Sequence, residues 1–194
     1  VATKIAIQHA ARILHAGGVI AYPTEGVFGL GCLPDDFAAV ERLLAIKGRT
    51  RQAGLILIAA DIELLAKWIA PNPAERKRLA QHTKVPTTWI VTAASATPEW
   101  LTGGRDTLAV RISTHPLVAE LSRAADSALV STSANRSGHR PAKSTLQARH
   151  WLGKQLDYVV SGATGGASGP SEIVVALSGQ VIRPKKTTKP GQIL

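Results

Sequence analysis

Several familiar chemistries have no material to work with in this sequence. Among 194 residues there is one cysteine, Cys32, and no methionine. A single thiol excludes an internal disulfide framework and a cysteine-based zinc cluster, and it suits a reducing compartment, so a cytoplasmic location is expected. The missing methionine points to an initiator that was removed or not included. His9, His15, His82, His115, His139 and His150 show no metal-ligand spacing, and no protein-held metal is expected. Cys32 has no histidine near it in sequence, and "GASGP" ends in proline where a nucleophile elbow needs glycine. The glycines after Tyr22 fit neither the dinucleotide fingerprint nor the phosphate loop GxxxxGK[ST]. The apolar runs are too short to cross a bilayer, so no membrane partner is expected.

Acidic residues are also scarce. None precedes Glu25, as in a transit peptide. The opening stretch nevertheless reads better as a folded helix, with Thr3 as cap, Ile5, Ile13 and Leu14 as its apolar face, and Gly17-Gly18 as its stop. The net charge is +10. From Ser127 onward nine lysines and arginines face two acids, so this segment carries +7 of the total. Such a balance without a membrane segment suits nucleic acid, nucleotides or other polyanions; simple solubility is the plainer explanation.

What is present is ordinary globular material, 45% hydrophobic and 19% charged, enough for one full core. Strands are expected at 19–22, "GLILIAA", "TTWIVTAA", "TLAVRIS" and "ALVSTSAN", with three short ones in "DYVVSGA", "EIVVAL" and "QVIRP". Helices are expected at "DFAAVERLLAIKG", "DIELLAKWI", "PAERKRLAQH", "HPLVAELSRAA" and "KSTLQARHWLG". "VFGLGCLPDD" reads as a glycine-bearing loop. Strands alternate with helices early and crowd together late. This predicts an α/β fold: a single-domain twisted mixed sheet with flanking helices over residues 1–184, followed by a mobile tail at 185–194.

Four polar or cationic stretches interrupt this frame. Lys47, Arg49 and Arg51 sit on alternate residues after a helix end; the helix dipole alone accounts for one such cation, and three suggest a docked anion. Pro23-Thr24-Glu25-Gly26, Ser131–Asn135 and Gly169–Glu172 each place small hydrogen-bonding groups beside a strand, as ordinary turns do and as phosphate or polar-substrate sites also do. Arg111 and Arg183 fall in or at the end of strands, where a cation usually has a buried partner or a ligand.

Taken in order, "VIAYPTEGVFGLGC", "LLAIKGR", "GLILIAA", "WLTGG", "LVSTSANRSG" and "GPSEIV" resemble the YrdC/Sua5 family, the threonylcarbamoyl-AMP synthases, in their short bacterial (TsaC-type) form, across nearly the whole chain. The resemblance implies a YrdC-like fold around a concave basic cleft. It also implies formation of threonylcarbamoyl-adenylate from L-threonine, bicarbonate or carbon dioxide, and ATP, with loss of diphosphate. The product serves t6A37 modification of tRNA through the proteins of a tRNA threonylcarbamoyl-transfer complex. Residue by residue, the resemblance places Lys47 and Arg49 in a catalytic K-x-R signature at the ATP phosphates. It adds Arg51, Thr107, Ser133, Asn135 and Arg183 on the ATP side, and Thr24, Arg111, Ser131 and Ser171 on the threonine side. Mg²⁺ is expected with ATP. Thr50 stands where the family has proline, and Val85 where it has glycine; a paralogue without the activity therefore stays open. So does a different class, an RNA-binding or ribosome-maturation protein that grips tRNA or duplex RNA.

Overall fold

Period-two alternation divides the apolar residues between the two faces of one sheet. In β1 (Ile20–Pro23), Ile20 and Tyr22 face one way and Ala21 the other; in β3 (Ile56–Ala59), Ile58 opposes Leu57 and Ala59; in β6 (Leu129–Ser133), Leu129 opposes Val130. The first face is covered by α1 (Lys4–His15) and α5 (Pro116–Ala124), through Ile7, Leu14, Leu117 and Leu121. The second receives α2 (Phe37–Lys47), α3 (Pro73–Leu79) and α6 (Thr145–Leu152), through Leu43, Leu79 and Ala148. Neither helix layer could hide its apolar stripe alone, and the sheet between them supplies both partners. The computed structural model describes residues 2–81, 83, 85–167, 169 and 171–184.

Nine strands among the described residues run in the order β7-β1-β2-β6-β3-β5-β4-β8-β9, where β2 is Phe28–Gly31, β4 Thr87–Thr92, β5 Thr107–Ile112, β7 Tyr158–Val159, β8 Glu172–Val175 and β9 Val181–Arg183. Pairing is mixed, as expected: β1–β7, β3–β5 and β4–β8 are parallel, and the other neighbours antiparallel. The three late strands do not form one meander. β7 closes one edge against β1, while β8 and β9 build the other. No helix among the described residues is long and apolar enough to cross a membrane.

Capping follows the sequence closely. Thr3 accepts from the Ala6 N–H at 3.2 Å, Asp36 from Ala39 at 2.9 Å and Ser144 from Gln147 at 3.2 Å. Three expectations fail. "VFGLGC" is not a loop but holds β2, paired with β1 from Ile20↔Gly31 to Pro23↔Phe28. Its glycines are there for close packing: a Cβ at Gly31 would lie 2.6 Å from the Val130 carbonyl oxygen and 2.8 Å from the Tyr22 ring. "DIELLAKWI" makes only a 3-10 turn at Glu63–Leu65, because the chain must straighten for Ile69 to bridge Ala93 beside β4. Ile5 is 79% exposed; Ile7, Ala10, Ala11 and Leu14 carry the buried stripe of α1. A one-turn helix, α4 (Glu99–Thr102), was not anticipated. The tail at 185–194 lies outside the described residues.

Glu75 is the most heavily committed surface-helix residue. It is 2% exposed; one carboxylate oxygen closes a capping box with the Asn72 N–H at 2.9 Å, and the other accepts from the Thr92 N–H at 2.9 Å. Glu75→Ala leaves two amides without acceptors and is expected to lower unfolding stability by about 3 kcal/mol, read by urea denaturation. Glu75→Gln should recover part of the loss.

Candidate active site

The face covered by α1 and α5 is open over its other half. There the strands continue with small and polar residues. Beyond Leu129 on β6 come Ser131 and Ser133; opposite them stand Ile56 on β3 and Gly29 on β2. Gly29 keeps the floor low, since a Cβ there would lie 3.2 Å from the Thr24 methyl and 3.4 Å from Ser131 Oγ. The result is a cleft of about 140 Å³.

Its rim comes from the turns that sequence reading singled out. Thr24 closes the β1–β2 hairpin, its hydroxyl donating to the Val27 carbonyl at 2.8 Å. Ser171 precedes β8 and shares a 2.7 Å hydrogen bond with Thr88 Oγ1. Three guanidinium groups line the walls: Arg49, Arg111 and Arg183. Arg49 Nη2 donates to the Ala53 carbonyl at 3.1 Å and Arg183 Nη2 to the Ser171 carbonyl at 2.8 Å. Neither forms an ion pair among the described residues. Burial pushes both below the usual arginine range, and in Arg183 the fields of Arg111 and Arg49 add to that. Crowded like charges, two of them without a carboxylate partner among the described residues, make an anion receptor.

Lys47 lies behind this wall. It ends α2, is 4% exposed, and donates to the Ser133 carbonyl at 2.7 Å, Ser133 Oγ at 3.2 Å and Asn135 Oδ1 at 2.6 Å. The Ser133 hydroxyl also donates to Asn135 Oδ1, at 2.6 Å. Lys47, Ser133 and Asn135 are therefore one hydrogen-bonded unit at the cleft edge. Burial first, then the Arg49 charge, lower the Lys47 pKa to about 8.

Of the residues expected from sequence, Thr24, Arg49, Arg111, Ser131, Ser133, Ser171 and Arg183 line the cleft together. Thr107 lies in an adjoining hollow of about 320 Å³, which shares Arg49 and Arg183 with it and has an apolar wall of Ile56, Ile90 and Ile173. Arg51 is not brought in. It points away, held by both Glu41 oxygens at 2.7 and 2.6 Å and lying over the Phe37 ring at 4.9 Å. Sequence reading noticed the Glu25 carboxylate but gave it no role, set His115 aside with the other histidines, and overlooked Ser113. Glu25 is 7% exposed, accepts from Ser113 Oγ at 2.5 Å and faces Arg111 Nη2 at 3.6 Å. Burial alone would raise its pKa; the Arg111 charge and the Ser113 hydrogen bond outweigh that and hold it below the usual glutamate value. The expected buried partner of Arg111 was the available signal.

The family model described as telomere recombination (Sua5/YciO/YrdC) matches residues 12–184. The chain belongs to this family. A threonylcarbamoyl-AMP synthase of Nitrosococcus oceani is 52% identical over 178 residues, which cover 91% of this chain and 96% of that protein. The Klebsiella pneumoniae protein of the same name is 46% identical over 181 residues, 92% of this chain and 95% of its own. Among solved structures, P. abyssi Sua5 complexed with L-threonine superposes with a TM-score of 0.79 at 28% identity, covering 89% of this chain. The match covers 52% of that protein, so this chain spans about half its length. The fold of E. coli YciO also matches, with a TM-score of 0.81 at 24% identity over 93% of this chain and 89% of that one. In this Sua5/YrdC chain the K-x-R pair is thus split: Arg49 lines the cleft, and Lys47 braces Ser133, which lines it, and Asn135, which lies outside its lining and faces a neighbouring hollow with Arg136 and His139.

The state of Lys47 is directly measurable. Its side-chain ¹⁵N signal should titrate near pH 8, while exposed lysines titrate near 10.4. A folded pKa below the unfolded one means that the unfolded chain binds more protons between about pH 8 and 10.4, so stability should rise with pH across that window. The rise should vanish in Lys47→Met.

Proposed function

We propose that this chain is a threonylcarbamoyl-AMP synthase, which joins L-threonine, bicarbonate and ATP and releases diphosphate. The observation that carries the reading is the convergence of Arg49, Arg111 and Arg183 with Ser131, Ser133 and Ser171 on one cleft. That donor set has no activated nucleophile, and the reaction needs none. The threonine amine attacks the carbon of bicarbonate; an N–C bond forms and water leaves. A carbamate oxygen then attacks the α-phosphorus as the bond to the bridging oxygen of diphosphate breaks. Charge gathers on non-bridging oxygens and on the leaving group, where fixed cations lower the barrier. The other demands are alignment of two anions that repel each other and exclusion of water from a labile product.

Within this reading Arg111 takes the threonine carboxylate, with Thr24, Ser131 and Ser171 around the amino acid. Arg49 and Arg183 take the phosphates. The adjoining hollow at Thr107, with Ile56, Ile90 and Ile173, suits a flat base. Lys47 acts by holding Ser133 and Asn135 in place. The cleft does not fit a protein-held Mg²⁺. Among the described residues no group of three histidine, cysteine or acidic side chains could hold a metal, and Glu25 is engaged by Ser113 and Arg111. In this reading magnesium enters with substrate ATP.

The same proposal covers the setting. The protein acts in the cytoplasm, with residues 1–184 as the catalytic domain and 185–194 as a tail outside it, and passes the adenylate to proteins that modify tRNA. Direct tRNA contact is assigned to the outer surface beyond Asn135, where Arg136, His139, Arg140 and a 45% exposed Trp151 line a hollow of about 440 Å³. An RNA-binding protein without synthase activity is not favoured, since the relatives with 44–52% identity are named as synthases.

Incubation with ATP, bicarbonate and labelled threonine should release diphosphate and form a threonine-dependent adenylate; no product would refute the reading. Arg49→Ala and Lys47→Ala should each keep a native circular dichroism spectrum and lower turnover by about 10²–10³-fold. A modest, salt-dependent weakening of RNA binding with turnover intact would favour the other class instead.

A further inference from the structure

Four buried side-chain atoms among the described residues lack a hydrogen-bond partner: Tyr22 Oη, Glu25 Oε2, Arg111 Nε and His115 Nδ1. Two of these residues, Glu25 and Arg111, line the cleft. Elsewhere buried polar groups are paired, as Thr88 is with Ser171. Unspent hydrogen-bonding capacity in the wall of a cleft suits a ligand.

The arrangement around Arg111 is specific. Its side chain is 12% exposed, and no hydrogen bond among the described residues engages it; its one partner is Glu25 Oε2, 3.6 Å from Nη2. That is too long for a hydrogen bond but close for two charges in a dry setting. Glu25 is itself held from behind. Ser113 Oγ donates to Oε1 at 2.5 Å and accepts from the His115 N–H at 3.2 Å, while His115 Nε2 meets the Ala163 carbonyl at 3.1 Å. The Glu25 carbonyl accepts from the Ala167 N–H at 2.8 Å. The carboxylate is thus anchored at Oε1 by Ser113, and it is the one charged partner of Arg111 among the described residues.

We propose that Glu25 is a positioning residue. It turns the free donors of Arg111 toward the carboxylate of the amino acid and does not touch the substrate itself. Ser113 fixes the direction of that pull. The inference rests on the synthase reading only for the identity of the amino acid. Because Arg111 and the Ser113 hydrogen bond keep Glu25 ionised, the device works down through the usual glutamate range and fails only as pH falls below it.

The test separates threonine from ATP. Calorimetric titration with L-threonine in the absence of ATP, and KM values for both substrates, are measured for the wild type, Glu25→Gln and Ser113→Ala, with thermal melting as a check on folding. Glu25→Gln should weaken threonine about 30-fold, the loss that follows removal of one member of a buried charge pair, and should leave the ATP KM within about twofold. Ser113→Ala should give a smaller loss of the same selectivity, and it carries the test if the glutamine variant does not fold. Acidification should weaken threonine binding in the wild type but not in Glu25→Gln. Threonine affinity unchanged in both variants, or threonine and ATP weakened together, would overturn the inference. A wild type that binds threonine yet releases no diphosphate would overturn the synthase reading while leaving the role of Glu25 tested by calorimetry.

Discussion

The site depends on one buried ammonium. Lys47 reaches from the end of α2 to the end of β6 and makes three hydrogen bonds there, to both oxygens of Ser133 and to Asn135. The tie is returned by the Ser137 N–H, which donates to the Lys47 carbonyl at 2.8 Å. Desolvating a lysine is costly unless its protons find acceptors, and these three acceptors recover much of that cost. Gly48 follows with φ 61°, a left-handed turn that directs Arg49 back to the cleft. Sheet pairing holds the backbone as far as Ser133, and this tie fixes the Ser133 hydroxyl and the Asn135 amide beyond it.

Around that brace the cleft concentrates positive charge. Among the described residues Arg49 and Arg183 are satisfied by backbone carbonyls, which orient a guanidinium but leave its charge in place, and of the three arginines Arg111 has a carboxylate partner. The division leaves two kinds of cation on one surface, two without a carboxylate and one tempered by Glu25. The sheet makes this workable, because each strand contributes one or two side chains from a rigid backbone and the distances between them are set by strand spacing.

Much of the frame was legible in the residues. Short continuous apolar runs in "GVIAY", "GLILIAA" and "ALVSTS", helical spacing in "FAAVERLLAI", and caps at Thr3 and Asp36 all lie where local rules put them. The misreadings have a common cause. Gly29 and Gly31 look like loop residues until Tyr22 and Val130 are seen pressing against them. "DIELLAKWI" has helical spacing, yet the bridge between Ile69 and Ala93 overrides it. Local preference is worth tenths of a kilocalorie per residue, and long-range packing is larger.

The site divides in the same way. Residue types and their order sufficed for the family, for a mixed sheet, and for the choice of hydroxyls and cations over a nucleophile, because these are properties of short segments. Which cations meet was decided by pairings far apart in the chain. Arg51, two residues from Arg49, is captured by Glu41 and turned outward. Arg111 and Glu25, 86 positions apart by their numbering, become partners because β5 and β1 deliver them to one end of the cleft. A charge in a sequence has no direction until the backbone that carries it is packed.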